Sequence, residues 1–139
     1  MGGLVIGATA RLPGILLDSK ANIFQISGVS MPDNGKEFFE PVLTWLEVYS
    51  VRPNKETELL IHLEYFNLST SKAMLFMFYQ LSQIQDAGYK VKVIWCYRDA
   101  YILSAGRDYA YMVKIPFEFR KVTAKDPAHK EASPDFSLL

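Results

Sequence analysis

The residues with the clearest chemical potential form one short polar segment between two apolar runs. The segment "NLSTSK", residues 67–72, combines an amide, three hydroxyls and an amine, with Leu68 as its one apolar residue. Hydroxyls at the start of a helix accept hydrogen bonds from the first free backbone N–H groups. The same place favours an anion, and a phosphate on a hydroxyl there would add nearly two negative charges beside Lys72. The pattern leaves two interpretations open: a helix cap alone, or a site of binding and Ser/Thr phosphorylation.

Other candidate catalytic groups are isolated in the sequence. His62 lies in a predicted strand and His129 near the C-terminus, and neither has a Cys or His neighbour at metal-ligand spacing. Cys96 lies in the apolar run "VIWCY", where we expect a buried, unreactive thiol. Trp45 and Trp95 are expected in the core. The sequence therefore predicts no catalytic residue, no bound metal and no cofactor.

Composition narrows the class of protein. The chain has 139 residues, half of them hydrophobic, which is enough for one folded domain. Fifteen basic residues balance fifteen acidic ones, so no basic face for nucleic acid is expected. The single cysteine suggests a reducing compartment. Because no apolar run approaches the length of a membrane span, and the first residues lack a basic signal-peptide start, we expect a cytoplasmic protein without membrane insertion.

The first half of the chain predicts two strands and a helix. Residues 14–28, "GILLDSKANIFQISG", contain two apolar runs around a polar turn at residues 18–22. Apolar residues then recur at helical spacing between Phe38 and Tyr49, after a cap at Asp33 or Asn34. Pro41 falls in the first turns of this helix, where a proline is best tolerated.

The second half predicts strands joined through helices. Alternation of Leu59, Ile61, Leu63 and Tyr65 predicts a strand with one apolar face. An apolar helix follows and ends near Gly88, and two further strands flank a helix that Gly106 interrupts, the last strand at a sheet edge.

The predicted order is therefore β-β-α-β-α-β-α-β, an α/β fold with a mixed, mostly parallel sheet. We assign residues 1–122 to this single domain and residues 123–139 to a polar, flexible tail.

Four separated blocks carry a resemblance to a known family. "ISGVSMPDNGKEFFEPVLTWLEVY", "LEYFNLSTSKAM", "GYKVKVIWCY" and "GRDYAYMVKIPFEF" resemble successive blocks of the SiaC family of bacterial regulatory phosphoproteins. The resemblance runs from about Leu12 to about Phe119. It implies a fold similar to STAS domains and a non-enzymatic protein that binds and activates a diguanylate cyclase. It also implies a dedicated kinase and phosphatase that set the phosphorylation state, and hence a role in cyclic di-GMP signalling and biofilm control.

The resemblance assigns roles to the polar segment residue by residue. The family's turn usually reads Asn-Thr-Ser-Ser, and the threonine after the asparagine is the phosphoacceptor. Asn67 matches that asparagine, Leu68 stands at the acceptor position, and Ser69 and Thr70 match the two serines. Three alternatives follow: the acceptor has moved to another hydroxyl, the protein stays locked in its binding form, or a register change presents Thr70 in the acceptor's place. The implied acceptor candidates are Ser69, Thr70 and Ser71. The implied partner-binding residues are Asn67, Leu68, Ser69, Thr70 and Lys72.

A second difference from the family concerns charge. The family tends to be acidic after its fourth strand, whereas "YRDAYILSAGRDYA" mixes Arg98 and Arg107 with Asp99 and Asp108. A partner that touches this face is expected to differ electrostatically from the family's usual one.

Two functions of other classes remain open from the residues alone. One is a small-molecule-binding or catalytic α/β domain with a pocket at the same helix start, which predicts a concave site with convergent polar groups. The other is a structural subunit that dimerises through the apolar side of the helix at residues 74–84, around Phe76. The sequence does not define the oligomeric state.

Overall fold

The computed structural model describes residues 2–123, which form one six-stranded sheet with three helices. In chain order the elements are β1 (Leu4–Ile6), β2 (Gly14–Asp18), β3 (Ile23–Ser30), α1 (Gly35–Tyr49), β4 (Glu56–Phe66), α2 (Leu68–Asp86), β5 (Lys90–Tyr97), α3 (Ala100–Val113) and β6 (Phe117–Lys121).

The strands lie in the sheet in the same order as in the chain. β1, β2 and β3 pair antiparallel, whereas β3, β4, β5 and β6 pair parallel. Each parallel connection passes through a helix, and right-handed crossovers that always step in one direction place all the helices on the same face. The α/β class and the mixed, mostly parallel sheet predicted from the sequence are confirmed.

The core lies between the sheet and the three helices. Phe24 of β3 packs against Trp45 and Tyr49 of α1, and Trp95 of β5 packs against Phe78 of α2 and Tyr109 of α3. The predicted apolar helix is α2, and the apolar residues that recur along it at helical spacing are buried: Ala73, Met74, Met77, Phe78, Leu81 and Ile84. The two tryptophans and Cys96 are also buried, as predicted.

Two details of the sheet differ from the sequence prediction. A short first strand, β1, pairs with β2, and its three residues between glycines gave too weak a pattern to be predicted. In β4, the pairing with β3 skips Glu64, since Gly28 pairs with Leu63 and Val29 with Tyr65. This bulge reverses the alternation, so the prediction that Tyr65 shares the apolar face with Leu63 is wrong: Tyr65 is exposed.

The helices follow their predicted signals closely. Asn34 caps α1, and Gly88 follows the end of α2 with a positive φ of 104°. Pro41 is the seventh residue of α1 and lies on its exposed side, so the helix runs through it without a shift of its start. The predicted tail lies outside the described residues, except for Thr123.

Candidate functional site

Three helix starts meet at one edge of the sheet. The carboxyl ends of the parallel strands β3, β4 and β5 lead into α1, α2 and α3. Each helix is capped by a side-chain oxygen: Asn34 accepts from Glu37 N at 3.1 Å, Asn67 from Thr70 N at 3.1 Å, and Asp99 from Ile102 N at 3.0 Å. Sites of α/β proteins commonly lie at this edge, because loops from several strands converge there.

Asn67 is the central residue of the α2 start. Its backbone N donates to Ser30 O at 3.0 Å, and its Nδ2 donates to Pro32 O at 3.0 Å. Its Oδ1 also accepts from the Ser69 hydroxyl at 3.1 Å. Through these bonds one side chain ties the segment between β3 and α1 to the first turn of α2. The sequence predicted that a hydroxyl of residues 69–71 caps this helix; that prediction is wrong, because the capping acceptor is the side-chain oxygen of Asn67.

Thr70 is fully buried beneath this turn. Its hydroxyl lies 2.9 Å from Asn67 Oδ1 and 2.7 Å from the hydroxyl of Ser30, which is also fully buried. Since a hydroxyl has one proton, donation from Thr70 to Asn67 leaves Ser30 to donate to Thr70. In this conformation the Thr70 hydroxyl is a structural group that solvent does not reach.

Ser69 and Ser71 are half-buried and make different contacts. Ser69 packs on Gly35, and a Cβ at Gly35 would overlap its hydroxyl, so the first residue of α1 must be glycine for the two helix starts to touch. The Ser71 hydroxyl donates to Leu68 O at 2.7 Å on the outer side of the helix. Of the three candidate acceptors, Ser71 is thus the one whose hydroxyl is not engaged with Asn67.

α3 joins the site through a buried tyrosine. The Tyr109 hydroxyl donates to Ser71 O at 2.8 Å, and burial raises the pKa of Tyr109 to about 12. The phenol is therefore neutral and acts as a donor at any physiological pH. This contact fixes α3 against the α2 start.

Leu68 and Lys72 form the outer surface of the α2 start. Leu68 is the first residue of the helix and its side chain is 71% exposed, although it is apolar. Lys72, one turn later, is exposed too. The hydroxyls behind them bond within the turn and to neighbouring loops. A groove beside this surface is lined by Ser71, Lys72, Asp108 and Tyr109 together with four apolar residues, and it is the concave feature that the small-molecule alternative would use.

Several residues of the site were not predicted as its members. Ser30, Pro32, Gly35 and Tyr109 reach the α2 start from other elements. The sequence contained one indication of these contacts: Gly35, a residue without a side chain, directly follows the predicted cap Asn34. The partners of Thr70 and Ser71 lie about 40 positions away along the chain, and periodicity does not report such contacts.

The described residues offer little for metal or membrane chemistry. Within residues 2–123 no group of three His, Cys, Asp or Glu side chains is placed to hold a metal ion. In the same range, no helix combines the length and the apolar composition that crossing a bilayer requires.

The fold and the site define a two-layer α/β domain whose polar site is a capped helix start at the carboxyl edge of the sheet. A model of the SiaC family of regulatory phosphoproteins matches residues 6–122. The chain belongs to this family, as its sequence blocks predicted.

Individual relatives agree with this assignment. An uncharacterized protein of Pseudomonas aeruginosa strain UCBPP-PA14 is 29% identical over 119 residues, which cover 84% of this chain and 94% of the relative. The structure of SiaC of Pseudomonas aeruginosa superposes with a TM-score of 0.80 at 28% identity, covering 88% of this chain and 100% of that one. A further match, with a TM-score of 0.80 at 26% identity over 86% of this chain and 99% of that one, is SiaC in a crystal structure of the diguanylate cyclase SiaD with its activator SiaC.

Proposed function

We propose that this protein is a non-enzymatic regulator that binds and activates a diguanylate cyclase in the cytoplasm, with the α2 start as its docking surface. The observation that carries the proposal is the exposed Leu68 on a rigid helix start, in a fold that matches SiaC bound to a cyclase. The partner-binding residues of this surface are Asn67, Leu68, Ser69, Thr70 and Lys72. Asn67, Ser69 and Thr70 shape the turn, whereas Leu68 and Lys72 make the contact.

An exposed leucine is suited to protein recognition. Its side chain projects from a first helical turn that Asn67 and Tyr109 hold in place, so little conformational entropy is lost on binding. Burial of most of this side chain in a partner would contribute about 1.5–3 kcal/mol of binding free energy. The neighbouring Lys72 offers a charge to an acidic group of the partner.

We further propose that phosphorylation by a kinase, reversed by a phosphatase, controls this surface through Ser71 or Ser69. Ser71 is favoured because its hydroxyl lies on the outer side of the helix, free of the Asn67 network. Phosphorylation of Ser69 would require its hydroxyl to break the hydrogen bond to Asn67 Oδ1 and to move out of its close contact with Gly35. Thr70 is the third candidate, and its modification requires the first turn of α2 to open. On any of the three, nearly two added negative charges would oppose an apolar contact at Leu68.

The experiment that tests binding and activation is a titration of the purified chain into the diguanylate cyclase of the same organism. Cyclic di-GMP synthesis should rise and saturate with the chain, and interferometry should give a matching binding curve. A cyclase that neither binds the chain nor changes its rate would contradict the proposed function.

The switch is tested separately with the cognate kinase. Mass spectrometry after incubation with the kinase and ATP should locate the phosphate on Ser71 or Ser69. Ser71→Ala should abolish phosphorylation at position 71, and Ser69→Ala should abolish phosphorylation at position 69. Absence of phosphate from residues 69–71 would remove the switch and leave a constitutive binder with Leu68 at the acceptor position.

A further inference from the structure

We propose that the groove between α1 and α2 is a second docking surface, which takes a basic amphipathic α-helix of a partner protein. The groove has an apolar floor of Leu43, Phe76 and Tyr79 and an acidic rim of Glu37, Glu40 and Glu47 on α1. None of these six residues belongs to the surface at residues 67–72. The inference therefore does not depend on which protein binds there.

Two aromatic residues of the floor are exposed, unlike the side of α2 that faces the sheet. Met74, Met77, Phe78 and Leu81 are fully buried against the sheet, whereas Phe76 is 59% exposed and Tyr79 is 47% exposed. The two exposed rings are three positions apart, so they lie side by side on one face of the helix. Adjacent exposed aromatic side chains beside a groove are typical of a protein interface.

The rim carries carboxylates without partners among the described residues. Positions 37, 40 and 47 fall on one face of α1 and extend over about 15 Å. None of the three carboxylates forms an ion pair with residues 2–123. By contrast, Glu58 and Glu118 on the sheet both pair with Lys92. Lys36 is the basic residue among those that line the groove, so its net charge is negative.

The negative charge of the rim distinguishes between three possible occupants: a lipid surface, a second copy of the chain and a basic segment of a partner. Anionic lipid head groups would be repelled by the rim. A second copy placed by a two-fold axis would set the same acidic rim against itself. A segment with Lys or Arg beside its apolar residues is complementary to both features of the groove.

The backbone around the groove selects the conformation of the occupant. Both walls are α-helices, whose N–H and C=O groups are bonded along the helix, so an extended peptide finds no free sheet edge there. An amphipathic helix satisfies its own backbone and inserts apolar residues at i, i+3, i+4 and i+7. The groove therefore fits a basic helix with one apolar face.

The test uses defined peptides and the full chain. The probe is a synthetic helix with leucine and phenylalanine on one face and lysine on its flanks. A scrambled peptide of the same composition and a peptide with glutamate in place of lysine serve as references. Isothermal titration should show binding of the basic amphipathic helix, with at least tenfold weaker binding of both reference peptides.

Matched variants locate the binding. Glu40→Lys with Glu47→Lys, and separately Phe76→Ser, should each raise the Kd of the basic peptide at least tenfold. Glu56→Lys with Asp108→Lys makes the same change in net charge at residues that do not line the groove and should leave Kd within twofold. Equal weakening by both charge pairs, unchanged binding to Phe76→Ser, or equal binding of the scrambled peptide would overturn the proposal.

A second copy of the chain is the competing occupant, and the oligomeric state tests for it. Light scattering of the wild-type chain should give the mass of a monomer. A wild-type dimer that Phe76→Ser dissociates would overturn the proposal, because a second copy would then occupy the groove.

Discussion

Thr70 and Ser30 form a pair of buried, hydrogen-bonded hydroxyls. This pair distinguishes the residues that stabilise the α2 start from those that are exposed at its surface. The two side chains bond to each other at 2.7 Å, and Thr70 also reaches the capping oxygen of Asn67. A buried hydroxyl that loses its hydrogen-bond partner destabilises the folded state, because its lost hydration is no longer compensated. Removal of both partners lowers the free energy of unfolding far less. Thr70 is therefore a structural residue of the site, and the proposed contact with a partner is assigned to Leu68 and Lys72.

This division predicts a specific pattern of stability. Thr70→Val keeps the shape of the side chain but leaves the buried Ser30 hydroxyl without its partner, which should cost about 1–3 kcal/mol in a urea unfolding experiment. Ser30→Ala combined with Thr70→Val should cost less than the sum of the single changes, because both polar groups are then absent. As a control, Ser71→Ala removes an outer hydroxyl and should stay within about 0.5 kcal/mol of wild type. Strict additivity of Ser30→Ala and Thr70→Val would contradict the pairing.

The buried phenol of Tyr109 predicts a dependence on alkaline pH. Burial raises its pKa to about 12 in the folded state, against about 10 in an unfolded chain. The folded state therefore retains the proton longer, so this contribution to stability is present below about pH 10 and is lost as the pH rises towards 12. Between these values the free energy of unfolding should fall more steeply for wild type than for Tyr109→Phe. Parallel pH profiles of the two proteins would contradict the assignment.

At the level of elements, α3 depends on a close approach to the sheet. Gly106 lies against the indole of Trp95, and a Cβ at this position would come within 2.5 Å of Trp95 Nε1. The same indole N–H donates to Ile102 O at 2.8 Å, so one ring fixes two points of α3. The glycine that interrupts the helical pattern in the sequence is therefore the residue that lets the helix pack.

The close approach predicts an effect opposite to intrinsic helix propensity. Alanine is favoured over glycine by about 1 kcal/mol inside a helix. Gly106→Ala should nevertheless destabilise the fold by about 1–3 kcal/mol, because the buried indole has to move. The measurement is denaturant unfolding together with near-UV circular dichroism of the tryptophans. Ser104→Ala, on the exposed side of α3, is the matched control and should leave both signals near wild type. A more stable Gly106→Ala variant would show that the ring and helix adjust freely.

Local patterns were sufficient to predict most elements of the fold. The hairpin of β2 and β3, the helical spacing of the apolar residues of α2 and the cap at Asn34 rest on neighbours within a few positions, and these predictions were confirmed. β1 was missed because three residues give no period, and Tyr65 was misplaced because a bulge depends on the partner strand. Polar contacts between elements, such as those of Thr70 and Tyr109, depend on packing that the sequence pattern does not encode.

At the scale of the whole molecule, the sheet places its functional groups at one edge. Right-handed crossovers bring the starts of α1, α2 and α3 to the carboxyl ends of β3, β4 and β5. Asn67 and Gly35 hold the starts of α1 and α2 together, and Tyr109 in the second half of α3 bonds to Ser71 O, so all three helices hold the surface around Leu68. A partner that binds Leu68 thus meets a preformed surface, which favours recognition without rearrangement.

The central claim is that the surface around Leu68 docks onto a diguanylate cyclase, and the most direct test is the rate of cyclic di-GMP synthesis with substituted chains. Leu68→Asp places a charge on the proposed contact and should raise the concentration of chain needed for half-maximal activation at least tenfold. Val51→Asp is the control: Val51 is 83% exposed and follows the end of α1, at the opposite end of the helical layer, so its activation curve should match wild type. If Leu68→Asp activates the cyclase as well as wild type does, the docking surface lies elsewhere on the molecule.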